Sequence, residues 1–350
     1  MSEGKGLIDP KKLTDFSARA LQKKGVPEED ARITAELLVK TDLMGIDSHG
    51  VAHLANFYCT RIDKNAINVK PDMKLTSNAP TTAILDADNG LGFVAGYKAM
   101  NEAMDRAEEY GSGFVSVVNS THFGAASVYS TMALERDMIG ISMTQGGKGV
   151  IAPGGAEKGV GLNVLSYAIP MKDEAPFILD MCTGVVAYGK IEIAARTGQP
   201  LPEGWAVKAD GTPATKPDEI AGVLPLGGTP ALGAYKGFGL AVFVDILCST
   251  LSGGLTIPEI TESKPGQSNH FFGAIKIGGF MATDAFKQKM DAMVKAYHAQ
   301  PTVPGVDHIT LPGEIEKRTI DARTPGIPLN PKVVESLVQL AKDLDIEYDL

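Results

Sequence analysis

Apolar residues recur at helical spacing at both ends of this chain and take up strand spacing only in its middle. That change of rhythm restricts the fold more than any other feature. Lys11 to Lys24, Glu28 to Met44 and His49 to Asp63 read as helices. So does the C-terminal segment, where Asn330 as N-cap and Pro331 at the first helical position open a stripe of Val334, Leu337 and Leu340. Between these ends, Thr82–Asp86, Phe114–Val118, Ile139–Thr144, Ser166–Met171, Phe177–Met181 and His270–Met281 read as strands. Helices are predicted over Leu91–Tyr110, Ala125–Arg136, Val185–Thr197 and from Thr283 or Asp284 to about Gln300. Phe114 to Thr144 then forms one strand–helix–strand unit. Gly146–Gly161, Gln199–Gly233 and Thr256–Asn269 read as loops on their glycine and proline content. The pattern predicts a mixed α/β protein. Its helical ends, 1–78 with 300–350, pack as one discontinuous domain beside a mixed-sheet domain over 79–299.

Composition narrows the partners. The chain has 350 residues and a formal net charge of −9, with no basic run, which argues against nucleic acid. Cys59, Cys182 and Cys248 show no metal or redox spacing and suit reduced thiols in a cytoplasmic protein. The first residues carry no apolar run of signal-peptide type. Gly237 to Gly254 is almost continuously apolar, but Asp245 in its middle would cost roughly 3 kcal/mol in a bilayer. A buried core helix, with no membrane partner, is the expectation there.

Asp47-Ser48-His49-Gly50 is the richest short stretch. Asp47 or Ser48 is predicted to cap the helix that follows, with His49 in its first turn, where fixed backbone suits proton transfer. The same pattern also fits a plain cap with a packed histidine, and both readings stand on local sequence alone. His49 and His53 lie on one helical face, as zinc ligands can, but no glutamate stands between them and no third ligand is evident. No metal is expected. Gly-x-Gly-x-x-Gly between strand and helix is missing: Gly111-Ser-Gly113 precedes a strand, and no Walker loop occurs. The loop Asn119-Ser-Thr-His-Phe-Gly124 stands between a strand and a helix, where ligands gather. Lys236-Gly237 offers a cation at the start of the apolar helix.

Taken in order, several stretches resemble the malate/L-lactate dehydrogenase family that is unrelated to the Rossmann enzymes. They are Gly45-Ile-Asp-Ser-His-Gly50, Asn119-Ser-Thr-His-Phe-Gly124, Asp180-Met-Cys-Thr-Gly184 with Gly189-Lys190-Ile191, and Pro202-Glu-Gly-Trp205. Tyr235-Lys-Gly-Phe-Gly239 with Asp245, and Leu311-Pro-Gly-Glu314 with Gly326-Ile-Pro-Leu329, complete the set. The resemblance implies an unusual, largely antiparallel mixed-sheet NAD(P)-binding domain, and a homodimer. It implies His49 as proton donor with Ser48 as relay, and His122 as a second catalytic histidine beside the cofactor. It places Gly124, Gly146, Asp180, Met181, Cys182, Lys236, Gly237, Gln288, Pro312, Gly313 and Glu314 at cofactor-contacting positions.

The departures bear on substrate. Most relatives carry an arginine where this chain has His53, and a Thr-Asn pair where it has Leu162-Asn163. Imino-acid reductases of the family carry aspartate at the position of Lys190. His53 and Asn163 are therefore the expected substrate contacts, and His53 is expected to bind carboxylate better when protonated, so that KM rises with pH through the neutral range. The expected activity is hydride transfer between NAD, with NADP left open, and a 2-hydroxy or 2-oxo acid, malate/oxaloacetate first. Lactate, ureidoglycolate or a cyclic imino acid, or a non-catalytic dimeric binding protein on the same fold, are the rivals.

Overall fold

A computed structural model describes residues 6–260 and 268–350. Part of the loop expected over Thr256–Asn269, namely 261–267, lies outside the described residues. A short strand, β1 (Leu7–Ile8), leads into α1 (Pro10–Lys23), whose N-cap Asp9 accepts the N–H groups of Lys11 and Lys12 at 2.8 and 3.0 Å. Next comes α2 (Glu28–Leu43), which positive-φ Gly45 follows. The third predicted helix is irregular. It is a 3-10 turn over Val51–His53, a π turn over Leu54–Cys59, and only then α3 (Thr60–Asp63).

The middle follows as β2 (Lys74–Ala79), β3 (Thr82–Asp86), α4 (Gly92–Tyr110), β4 (Ser112–Ser120), α5 (Ser127–Ser130, continued as a 3-10 turn) and β5 (Met138–Thr144). Then come β6 (Lys148–Ile151), β7 (Lys158–Gly161), β8 (Val164–Ile169), β9 (Phe177–Cys182) and α6 (Tyr188–Thr197). After them lie β10 (Ala206–Val207), β11 (Gly222–Val223), α7 (Ala234–Cys248), β12 (Ser268–Lys276) and α8 (Thr283–His298). Finally come α9 (Glu314–Arg323), β13 (Ile327–Pro328) and α10 (Pro331–Leu344), capped as predicted by Asn330, which accepts Lys332 N–H at 3.0 Å.

Seven strands form the main sheet in the order β2-β3-β4-β12-β5-β8-β9. Only β3 and β4 run parallel, joined across α4; every other pair is antiparallel. The predicted unit from Phe114 to Thr144 is split, because β12 lies between β4 and β5 and is antiparallel to both. The glycine-rich stretch read as a loop folds into β6 and β7, which join β11 and β10 in a second sheet. Short strands there are held by pairing rather than by a side-chain pattern, so periodicity does not show them.

The two chain ends meet: β1 pairs with β13, and Phe16 of α1 packs edge-on against Tyr348 at 5.8 Å. Their apolar residues run into one core with α4 and the inner strands, including Leu13, Leu21, Phe93, Met100, Val115 and Leu337. The apolar run at 237–254 is not buried all round. Ala234, Gly237, Ala241, Val244 and Cys248 of α7 face inward, while Phe243 and Ile246 stay 49% and 45% exposed. Asp245 does not float in apolar surroundings, since it accepts the Gln145 amide at 2.7 Å and Ile257 N–H at 3.2 Å. No helical pattern was read at α9. It begins at positive-φ Gly313 and projects from the sheet edge toward α2.

Candidate active site

His49 stands in a turn, not in a helix. The predicted caps Asp47 and Ser48 are replaced by Asp42, in the last turn of α2, whose carboxylate accepts Val51 N–H at 2.8 Å. Gly50 belongs to this contact, because a Cβ there would lie 2.1 Å from the Asp42 carboxylate oxygen. Burial raises the Asp42 carboxyl to about 7, against the opposing pull of the Val51 N–H. From the other side, Arg323 at the end of α9 donates to the Asp42 carbonyl at 2.6 Å and pairs with Asp47. The turn is therefore clamped from both flanks.

Ser48 Oγ lies 2.9 Å from His49 Nδ1. Gly189, at the start of α6, comes up beside Ser48, where a Cβ would meet its side chain at 3.6 Å. His49 shares its pocket with two further imidazoles. Its ring centroid is 5.6 Å from that of His122 and 5.7 Å from that of His53, and the last two are 6.0 Å apart. Three half-buried imidazoles this close cannot all carry charge. His122 is pushed well below the ordinary histidine range, by burial first and by the positive ends of His49, His53, His270 and Arg61 after that.

Its tautomer is fixed as well. Gly124 N–H donates to His122 Nδ1 at 3.3 Å, and the Tyr58 hydroxyl lies 2.7 Å from the same nitrogen, so Nδ1 accepts and the proton sits on Nε2. His53 is lowered by burial too, and its Nδ1 is buried with no hydrogen-bond partner among the described residues. It stacks on Phe57 at 5.1 Å, and the Arg61 guanidinium lies over the same ring at 4.4 Å. Burial thus works against the protonated His53 that the expected rise of KM with pH requires.

The loop that carries His122 is seated on His270 of β12. The Phe123 and His270 rings are parallel at 4.5 Å, and His270 contacts Thr144 Oγ1 at 2.8 Å and the Thr121 carbonyl at 3.1 Å. Full burial drives His270 down to about 3, so it is a neutral prop. Asp180 lies close by: its carboxylate accepts Ser127 N–H at 2.8 Å and so caps α5. Met181 and Cys182 follow on β9, where burial raises the Cys182 thiol.

Backbone links tie the other predicted cofactor positions to this end of β9. Gly237 packs on Leu226, where a Cβ would lie 2.3 Å from its backbone N, and Leu226 N–H bonds to the Thr183 carbonyl at 2.9 Å. Gly146 N–H donates to Asn163 Oδ1 at 2.8 Å, and Asn163 Nδ2 donates to the Ala241 carbonyl at 2.7 Å. Asn163 is fully enclosed and both ends of its amide are engaged, so it staples α7 to the Gly146 corner instead of reaching into the histidine pocket. At the far end of β9, Pro312 accepts Ile178 N–H at 3.1 Å. Glu314 turns its carboxylate to His298 and His308, Lys236 is exposed on the first turn of α7, and Gln288 stands apart, exposed on α8.

Sequence reasoning passed over Asp42, Tyr58, Arg61, His270 and Arg323. Tyr58 falls at helical spacing with Val51, Leu54 and Ile62, so its sequence position reads as packing. His270 and Arg323 act from remote segments, and Asp42 reaches Val51 across the turn that ends α2, which no local pattern reports. Arg61 carried the one available signal, a cation two helical turns beyond His53.

Comparisons with known proteins place the whole chain in one family. The family model described as malate/L-lactate dehydrogenase matches residues 8–338. A malate dehydrogenase of Pyrococcus horikoshii is 40% identical, with 98% of this chain and 99% of that protein covered. An L-sulfolactate dehydrogenase of Methanocaldococcus jannaschii is 35% identical, with 98% of each covered. The crystal structure of malate dehydrogenase from Entamoeba histolytica superposes with a TM-score of 0.95 at 31% identity, covering 99% of both chains.

Proposed function

The chain belongs to the malate/L-lactate dehydrogenase family, and from that premise we propose that it interconverts a 2-hydroxy acid and its 2-oxo acid, malate and oxaloacetate first, with NAD or NADP. The observation that carries this reading is the pocket of His49, His53 and His122, in which burial holds two of the three imidazoles neutral. A nicotinamide dinucleotide, when bound, supplies or accepts the hydride. Gly124, Gly146, Asp180, Met181, Cys182, Lys236 and Gly237 toward one end of β9, with Pro312, Gly313 and Glu314 at its other end, would hold it, while Gln288 stands apart on α8.

The remaining work falls to the chain's own groups. His49, with Nδ1 facing Ser48, gives a proton through Nε2 to the substrate oxygen during reduction and takes it back during oxidation. His122 offers its Nε2–H as a neutral hydrogen-bond donor that steadies the same oxygen. Arg61, held flat on Phe57 and without a carboxylate partner among the described residues, supplies the fixed positive charge that His53 does not. Aromatic walls from Phe57, Tyr58 and Phe93 restrict water around the reacting centre.

The helical ends, 1–78 with 300–350, form the substrate side and 79–299 the cofactor side. The exposed apolar face of α7 is covered by a second copy in a cytoplasmic homodimer. Nicotinamide absorbance, followed with NADH and then NADPH against oxaloacetate, 3-sulfopyruvate, pyruvate and a cyclic imine, tests the reading. Oxaloacetate should give the highest kcat/KM. Turnover of the imine alone would move the enzyme to the other branch of the family.

A further inference from the structure

Away from the histidine pocket, three ligating side chains from three segments converge on one point. They are His298, the last residue of α8; His308, in the loop that follows; and Glu314, the first residue of α9. His298 Nε2 lies 2.6 Å from one oxygen of the Glu314 carboxylate, and His308 Nε2 lies 3.7 Å from the other. The two imidazoles meet edge to face at 5.0 Å, and one donor atom from each residue lies within 4.8 Å of the other two.

Two imidazoles present their Nε2 atoms to the oxygens of one carboxylate, so three donor atoms of metal-ligand type gather at one point. We propose that His298, His308 and Glu314 bind one divalent transition-metal ion of the zinc class. Two imidazole nitrogens and a carboxylate oxygen are a known zinc donor set, with the fourth tetrahedral position left to water. At bond lengths of about 2.0–2.2 Å, tetrahedral ligands stand roughly 3.3–3.5 Å apart. One donor atom from each residue lies within 4.8 Å of the other two, so seating an ion needs the three side chains to draw together toward that spacing. His308 is 40% exposed, which leaves a path for the ion and room for the water.

Two of the ligands stand on firm ground. The C-terminal half of α8 is tied down by Asp291, which accepts Lys172 and Asp173 N–H at 3.1 and 3.0 Å. The start of α9 is seated on the chain before β9, since a Cβ on Gly313 would lie 2.1 Å from the Pro176 carbonyl oxygen. The ion would therefore close the loop between α8 and α9 onto two anchored helix ends. α9 is also a strut about 15 Å long. Its other end carries Arg323, which clamps the turn holding His49.

The test is calorimetric titration of the tag-free chain, freed of metal with chelator and dialysed, with zinc alone and then with cobalt. One ion per chain should bind, with the visible bands of tetrahedral cobalt. His298→Ala and His308→Ala should each weaken zinc binding by about tenfold or more, and the double variant should abolish it. Zinc should raise the Tm of the wild-type chain and leave that of the double variant unmoved. His53→Ala should bind as the wild type does, which separates this seat from the histidine pocket. No stoichiometric uptake at micromolar zinc, or uptake that survives in the double variant, would overturn the proposal. Calorimetry reads the ion directly and is indifferent to which substrate the enzyme takes.

Discussion

In the function we propose, the side chains around His49 carry the chemistry, and burial lowers the pKa of His53 and His122 beside it. Around Gly146, Gly237 and Gly313, which we propose lie at the cofactor, the backbone packs directly on neighbouring backbone and leaves no room for a side chain. In the first region a residue is judged by what it can donate: His122 by its Nε2–H, Arg61 by its charge. In the second it is judged by what it leaves out, as at Gly237, where a Cβ would collide with Leu226. The contrast teaches that substitutions in the two regions should fail differently. The pocket should lose rate while keeping its fold, and the corner should lose fold or ligand affinity while keeping its chemistry.

The sharpest break of that contrast would come at His49. His49→Ala should lower turnover by about 10²–10⁴-fold while dinucleotide affinity stays near that of the wild type. Steady-state kinetics beside a fluorescence titration of NADH checks both, and a parallel loss of affinity would merge the two regions. Gly237→Ala should do the reverse, costing about 1–3 kcal/mol or more of stability and weakening dinucleotide binding. Thermal unfolding and the same titration read it, and an unchanged Tm would mean the corner gives way easily.

Tyr58→Phe comes next in size. Removing a buried hydroxyl beside His122 should cost about 1 kcal/mol and slow turnover several-fold, through loss of one of the two contacts at His122 Nδ1. A kcat equal to that of the wild type would assign the tautomer to Gly124 alone.

Asp42→Asn probes the clamp. A carboxyl raised to about 7 by burial binds its proton more tightly in the folded state, so its contribution to stability is full below the ordinary carboxylate range and is lost as pH rises through about 7. Asparagine keeps an acceptor for Val51 N–H without titrating. The fall in Tm between pH 5 and pH 8 should therefore shrink in the variant, and an identical fall would remove Asp42 as its source. The smallest effect concerns His53. Because burial lowers it, KM for the 2-oxo acid should stay flat across the neutral range, whereas Arg61→Ala should raise KM more than it lowers kcat. A KM that climbs with pH in the wild type would return the substrate charge to His53.

How much of this was legible follows the same division. Helices with an apolar stripe, such as α1, α4 and α10, were visible because that signal is local, and at α10 the Asn330 cap added a second one. The histidines were visible because residue type alone makes an imidazole a candidate. The irregular helix after Gly50 was not, since a 3-10 turn and a π turn in succession keep the apolar rhythm while moving His49 out of the helix. Nor was α9, whose start depends on Gly313 meeting Pro176, or the β6–β7 hairpin, whose hydrogen bonds leave no side-chain periodicity. The outward face of α7 misled in another way: composition records how apolar a helix is, not how many of its faces the fold covers.

The central claim is that His49 alone passes the proton while the imidazoles around it stay neutral. The pH dependence of kcat/KM, measured for 2-oxo acid reduction and for 2-hydroxy acid oxidation, tests it most directly. Reduction should decline on a single limb as pH rises and oxidation on a single limb as pH falls, both with the same midpoint, and both limbs should vanish in the residual activity of His49→Asn. Limbs that persist in that variant, or that move with Tyr58→Phe, would contradict the account and hand the proton to His122.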